Sequence, residues 1–220
     1  MQLINLFFLL LFSVLLALAC APPHRPSSQQ GLLDYFDTMA TADSLVFEVE
    51  YVDDENAVSG DTIPNALFFN LIDSAMLAEI EYVADSSIAT VLARRRFQLS
   101  ANIEACHVDI RQAWFQHQSL LLYDRRRGMF TDRITVAEWY GGDGGQLLTG
   151  CWLTDYDGDG DKDLVVREIQ HTLRPDDDGV AVDELLETAA LRVWQKDSFV
   201  EQPLADTAAA VRRYPIRSFW

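Results

Sequence analysis

Lysine is almost missing from this chain: Lys162 and Lys196 are the only two, and the other fifteen basic residues are arginines. Thirty-four acidic side chains against 17 basic ones leave a formal net charge of −17. A polyanion would be repelled, which excludes nucleic acid as a general partner. Strong acidity with little lysine is compatible with a saline habitat, where salt screens self-repulsion. Catalytic signatures are missing too. There is no H-E-x-x-H, no G-x-S-x-G and no Gly-rich dinucleotide fingerprint. The four histidines, His24, His107, His117 and His171, have no metal-ligand spacing. No C-x-x-C pair occurs, which argues against zinc. Tyr140-Gly141-Gly142-Asp143-Gly144-Gly145 lacks the lysine of a P-loop and reads as a turn between strands.

Cysteine is scarce, and its three positions are informative. Residues 3–19 form the one long apolar run, broken only by Asn5 and Ser13 and ending Ala17-Leu18-Ala19-Cys20. An apolar stretch closing on small residues reads as a secretory signal over residues 1–19. A cysteine directly after it resembles the lipobox of bacterial lipoproteins, which implies lipidation of Cys20 and membrane attachment. Ala17 stands where that family usually has a large aliphatic residue, and no Lys or Arg precedes the run. A retained transmembrane anchor is the alternative, since about 20 apolar residues span a bilayer. Either reading places the rest of the chain outside the cytoplasm. By analogy with the same family, Ala21 after the lipid-bearing cysteine favours an outer-membrane destination. The Pro-, Ser- and Gln-rich residues up to position 30 read as a tether, and 31–220 as one domain. With Cys20 assigned to lipid, Cys106 and Cys151 remain as a candidate disulfide, or as two unrelated buried thiols.

The densest chemistry lies in Asp155-Tyr-Asp-Gly-Asp-Gly-Asp-Lys-Asp163. Five acidic side chains this close repel one another unless a cation sits among them. Asp155, Asp157, Asp159 and Asp163 occupy positions 1, 3, 5 and 9 of a calcium loop, and Asp161 occupies position 7, which usually offers a backbone carbonyl. Gly160 falls at position 6, where the chain must turn sharply. Val166 replaces the bidentate glutamate of an EF-hand at position 12, and Lys162 replaces the aliphatic residue at position 8, so a paired EF-hand is not expected. The pattern D-x-D-G-D-G-x-x-D-L, followed by Leu164-Val165-Val166, resembles the calcium loop of FG-GAP and VCBS-type bacterial exoproteins. That resemblance covers residues 150–168. It implies calcium, an extracytoplasmic setting and a loop joining two antiparallel strands. No second copy of the loop occurs, so a propeller is not implied. Asp176-Asp177-Asp178-Gly179 reads as a solvated turn.

β-Branched and aromatic segments recur at residues 45–52, 80–83, 90–99, 103–112, 119–123, 134–139, 146–153, 164–170 and 190–195. Residues 64–72 and 204–213 carry helix signals, and 183–188 fits helix or strand. The expected fold is a β-rich α+β domain, an antiparallel twisted sheet or partial barrel with a few short helices. Arg94-Arg95-Arg96 and Arg125-Arg126-Arg127 read as strand ends or turns paired with carboxylates, the alternative being a docking patch for an anionic partner. Two roles fit: a calcium-binding envelope module that binds a protein or glycan, or an inhibitor or immunity factor against a lysozyme-like enzyme. A concave aromatic-lined groove would favour the first, and a protruding aromatic loop the second, with Trp114, Trp139, Tyr140, Trp152 and Trp220 as candidate surface aromatics. An enzyme ranks third.

Overall fold

The computed structural model describes residues 28–217 apart from 41–42, 51–58, 79, 81–86, 113–114, 143 and 176–177. The expected signal segment, Cys20, Trp114, Asp143, Asp176, Asp177 and Trp220 lie outside the described residues.

Strands β4 (Thr90–Gln98), β5 (Ile103–Gln112), β6 (Phe115–Asp124), β7 (Met129–Gly142), β8 (Gly145–Thr154), β9 (Asp163–Pro175), β10 (Ala181–Gln195) and β11 (Ser198–Gln202) form an antiparallel meander. Short strands β1 (Asp37–Thr38), β2 (Ser44–Phe47) and β3 (Asp61–Ile63) complete one sheet. The β-rich α+β class read from composition is the class observed. The sheet does not close into a barrel, and β1 runs parallel to β4.

β5 and β6 are buried on both faces along most of their length. On one face Cys106, Val108, Ile110, Leu121 and Tyr123 pack beneath Leu32, Phe36, Phe68 and Ile72. These last residues come from α1 (Gln29–Leu32), the turn after it, α2 (Asn65–Leu71) and the residue that follows α2. On the other face Ile103, Ala105, Leu120 and Leu122 meet Phe47, Val136, Leu148, Leu153, Leu164 and Trp194, so the curled sheet covers itself. β7 pairs with β8 only from Glu138 to Gly142, and β2 pairs with the remaining half of β8 through Cys151–Thr154. The strand that sequence composition extended to Val52 is thus a short wedge.

Cys106 and Cys151 correct the disulfide expectation. Both thiols are free and buried, and they belong to clusters on opposite faces of the sheet. Burial pushes the Cys151 thiol up to about 12, so it is an inert, small apolar residue in this position. The domain also begins earlier than position 31. Gln29 donates from Nε2 to the Leu71 carbonyl (2.6 Å) and accepts from the Phe130 amide (2.7 Å), so Gln29 and Gln30 belong to the fold rather than to a tether.

Asp206 caps α4 (Thr207–Arg213), its carboxylate accepting from the Ala209 amide at 2.8 Å, as the helix signal there implied. At the other end of α4, the fully buried Arg167 donates to the carbonyls of Val211 and Tyr214 (both 2.6 Å), to Thr188 O and to Glu187. A guanidinium in this place satisfies the last-turn carbonyls and fastens α4 to β9 and β10.

Polar residues inside doubly covered strands must be partnered. Asp109 takes Arg94, Arg111 and Gln116. His117 lies between Glu138 (3.0 Å) and Ser119 (2.6 Å), with Arg133 donating to Ser119 and, through Nε, to Met76 O in α3 (Ser74–Ala78). Burial pushes both His107 and His117 down from the ordinary imidazole range, His107 to about 3. These rings fold neutral and acquire protons on unfolding near pH 6.5, so stability is present above that pH and is lost as pH falls below it, for His107 down to about 3. For His107 the loss runs at about 1.4 kcal/mol per pH unit within that window. His107→Gln removes one contribution, and urea midpoints measured at pH 7 and pH 5 are expected to differ less in this variant than in the parent.

Candidate metal centre

The loop between β8 and β9 is pinned before any ion is considered. Asp163, the first residue of β9, is fully buried, and its two carboxylate oxygens accept from the amides of Tyr156 and Trp194, both at 3.0 Å. It therefore fastens the loop's entrance to β10. Burial pushes the Asp163 carboxyl up, while hydrogen bonds from the backbone of Trp194, Tyr156 and Asp157 pull it down.

The remaining acidic residues fold inward through their own turns. Asp155 accepts from the amides of Gly158 (2.7 Å) and Gly160 (3.1 Å), Asp157 from Asp159 N (3.1 Å), and Asp159 from Asp161 N (2.9 Å). Gly158 and Gly160 adopt φ +84° and +95°, conformations that explain glycine at both positions. Lys162 leaves the cluster and donates to the Asp43 carbonyl at 2.7 Å.

Carboxylate oxygens of Asp155, Asp157 and Asp159 all lie within 4.8 Å of one another. Two oxygens bound to one calcium at roughly 2.4 Å can be at most about 4.8 Å apart, so three of the expected ligands stand within reach of a common ion. Each carboxylate has lone pairs beyond those used in the turns. Asp161 and Asp163 do not join this carboxylate group. At Asp161 the expected donor was the backbone carbonyl. Asp163 is turned towards Tyr156 and Trp194, and its role here is that of a bracket. The site fits a hard cation held by oxygen, exposed at Asp157 and Asp159 and half-buried at Asp155.

The other sequence candidates separate. Arg125-Arg126-Arg127 is the β6–β7 turn, with Arg125 paired to Glu104 and Arg126 to Asp197. Arg94-Arg95-Arg96 instead lies in mid-strand. Arg94 pairs with Asp109 (2.6 Å) and Arg96 with Glu104 (3.8 Å). Among the described residues, no carboxylate lies within ion-pair distance of Arg95. Trp152 packs against Tyr214 with ring centroids 5.6 Å apart, and Trp139 and Tyr140 are half-buried. The chain Ser119–His117–Glu138 has the order of a nucleophile, base and orienting acid. It is sealed: Ser119 is fully buried and Arg133 holds its hydroxyl.

Sequence reading missed a cavity of about 1060 Å³ on the face opposite the helices. Its lining includes Phe47, Glu48, Arg94, Arg95, His107 and Arg217. The Arg94-Arg95 pair was the available signal, and recognising it required knowing where the β4 register shifts.

No family model matches this chain, and neither the curated proteins nor the solved structures hold a significant match.

The bracket and the cluster make separable demands. Asp163→Ala leaves the buried Trp194 amide and the half-buried Tyr156 amide unpaired and is expected to cost about 2–4 kcal/mol whether or not calcium is present. Denaturant unfolding in chelator checks this; a variant as stable as the parent there would remove Asp163 from its structural role.

Proposed function

We propose that this chain is a calcium-binding, lipid-anchored extracytoplasmic protein whose folded domain acts by binding at the cell envelope. The convergence of Asp155, Asp157 and Asp159 within 4.8 Å carries the metal part of this reading. The loop joins two antiparallel strands, the setting implied by the resemblance to FG-GAP and VCBS-type loops. Bound there, calcium would offset the mutual repulsion of the three carboxylates and rigidify the β8–β9 connection. The ion is structural on this reading. Export and attachment rest on the apolar run ending at Cys20.

A second reading, an inhibitor or immunity factor, draws support from the β9–β10 hairpin. From Asp178 to Thr188 every residue is exposed, and Leu173, Val180, Val182, Leu185 and Leu186 add apolar surface to this arm. The arm is aliphatic and acidic, without the aromatic tip that the inhibitor reading led us to expect. The binding-module reading is preferred because the chain also presents a large polar cavity in its body.

Thermal unfolding of residues 28–220 in millimolar calcium and in chelator tests the metal. Calcium is expected to raise Tm by several degrees, corresponding to about 1–3 kcal/mol at a ligand concentration tens of times above Kd. Asp157→Ala and Asp159→Ala should melt as the parent does in chelator, with or without the ion. Parent-like calcium shifts in both variants would sink the site.

Attachment has its own test. In the full chain expressed in a bacterium that processes lipoproteins, Cys20→Ser is expected to move the protein from the membrane pellet to the soluble fraction. Retention in the pellet would replace the lipid with an uncleaved apolar anchor.

A further inference from the structure

The cavity opposite the helices is built around an irregularity in β4. Ala93 pairs with Val108 and Arg95 with His107, so Arg94 is an extra residue in the strand. A bulge of this kind directs two consecutive side chains towards one side, and both Arg94 and Arg95 line the cavity. The bulge also reverses the strand's alternation: Val91 and Ala93 face the helices, whereas Phe97 faces the other core. Gly60 lets the neighbouring chain approach this point, because a Cβ there would lie 2.5 Å from the Ala93 carbonyl. Ser59, beside it, accepts twice from Arg94 Nη1.

Among the described residues, three groups in this lining lack a hydrogen-bond or ion-pair partner for at least one polar atom. Arg94 Nε is buried without an acceptor. Arg95 rests over the Phe47 ring, 5.7 Å from its centroid, and has no ion-pair partner among the described residues. Burial, followed by the charge of Arg94, pushes its pKa down, and the charge of Glu50 offsets this only in part. His107 is the third. Gln118 donates from Nε2 to Glu48 O (3.0 Å), which turns its Oε1 towards His107 Nε2 (3.0 Å). Nε2 therefore carries the proton, and the buried Nδ1 is a lone pair with no donor. Buried polar groups without partners are uncommon in folded proteins, and here two residues that carry one line the same cavity.

We propose that this cavity binds an acidic saccharide, with the carboxylate of a uronic acid unit on Arg95 and a sugar hydroxyl donating to His107. Arg217, also in the lining, adds a second cation for the carboxylate. Asp37, Glu48 and Glu50 line the same space, and their carboxylates accept from further hydroxyls. A bare inorganic anion would be repelled by those three groups, whereas a hydroxylated carboxylate uses both signs of charge. Val46 and Val49 supply apolar surface for the C–H face of a sugar ring. The volume suits a ligand larger than a two- or three-carbon acid. The chain's net charge of −17 does not forbid this, because charges beyond about 8 Å are largely screened at physiological ionic strength. The assignment deepens the envelope-binding reading and rests on it, but it does not use the metal loop.

Calorimetric titration of residues 28–220 with D-glucuronate, D-glucose, sodium acetate and sodium L-lactate tests it, in calcium and in chelator. Glucuronate is expected to bind at least tenfold more tightly than glucose, acetate or lactate. Arg95→Gln should weaken glucuronate roughly ten- to hundredfold, the loss of a charge-assisted contact, while leaving Tm near the parent value. Glucuronate should also shift the His107 Nδ1 resonance in ¹⁵N NMR spectra, a readout independent of the variant. Lactate binding as tight as glucuronate would make the ligand a hydroxy acid and overturn the saccharide assignment. Glucuronate binding no tighter than glucose and acetate, or equal affinity in Arg95→Gln, would overturn the site itself. Binding that survives in chelator and in Asp157→Ala keeps this site even where the calcium reading fails.

Discussion

Burial of β5 and β6 on both faces is the constraint around which this molecule is arranged. A strand covered on both sides cannot leave a polar group to solvent, so every hydrophilic residue in it requires a protein partner. β5 and β6 nevertheless carry Glu104, His107, Asp109, Gln116, His117, Gln118 and Ser119 in the interior. Their partners come from neighbouring strands and from α3, which is how arginines enter the core. Arg94 answers Asp109, and Arg133 answers Ser119 and reaches Met76. Because the chain has almost no lysine, these positions are filled by a planar donor that bonds several acceptors at once, and Arg167 does the same for α4.

Covering both faces also determines the role of the short elements. One face receives α1, the turn after it and α2, while the other is closed by the curl of the sheet and by β2 on the half of β8 that β7 leaves unpaired. Cys106 and Cys151 follow from this division. Each fills a small apolar position, one on either face, and a sheet stands between them. Cysteine arithmetic paired them because it counts thiols in an oxidising compartment and has no information about faces.

The strands were legible where burial matched composition. Ile103–Gln112 and the start of β4 coincide with their sequence ranges, and α4 lies within the helix signal at 204–213. β7, β9 and β10 extend well beyond theirs, since Arg133, Arg174, Asp183 and Glu184 are paired across strands or exposed on a projecting hairpin. Polar residues of that kind hide a strand from composition. The ambiguous segment 183–188 is strand for the same reason: its partner β9, and not its own pattern, decides it. In the acidic loop, spacing placed Asp155, Asp157 and Asp159 in one turn, and the structure brings their carboxylates together. It could not anticipate that Asp163 would be buried, because that depends on the Trp194 amide, thirty-one residues away.

The two candidate sites differ in what makes them visible. The loop is local: its carboxylates are contiguous, its glycines sit where φ is positive, and its geometry follows from a dozen residues. The cavity is non-local. It needs a register shift in β4, a glycine from the β3 approach, a glutamine from β6 and an arginine near the C-terminus. No sequence window contains these together. Arg95 illustrates the difference, since an arginine triplet in an acidic chain ordinarily finds carboxylates on both sides. Arg94 and Arg96 do so, but the bulge turns Arg95 onto the same side as Arg94, where Asp109 and Glu50 are already engaged. Arg95 is thereby left over Phe47 with no ion-pair partner among the described residues and only the more distant charge of Glu50 to offset its own, beside an imidazole nitrogen with no donor among those residues. A single inserted residue in one strand thus converts a salt-bridged surface into a cavity with unmet cationic and accepting groups.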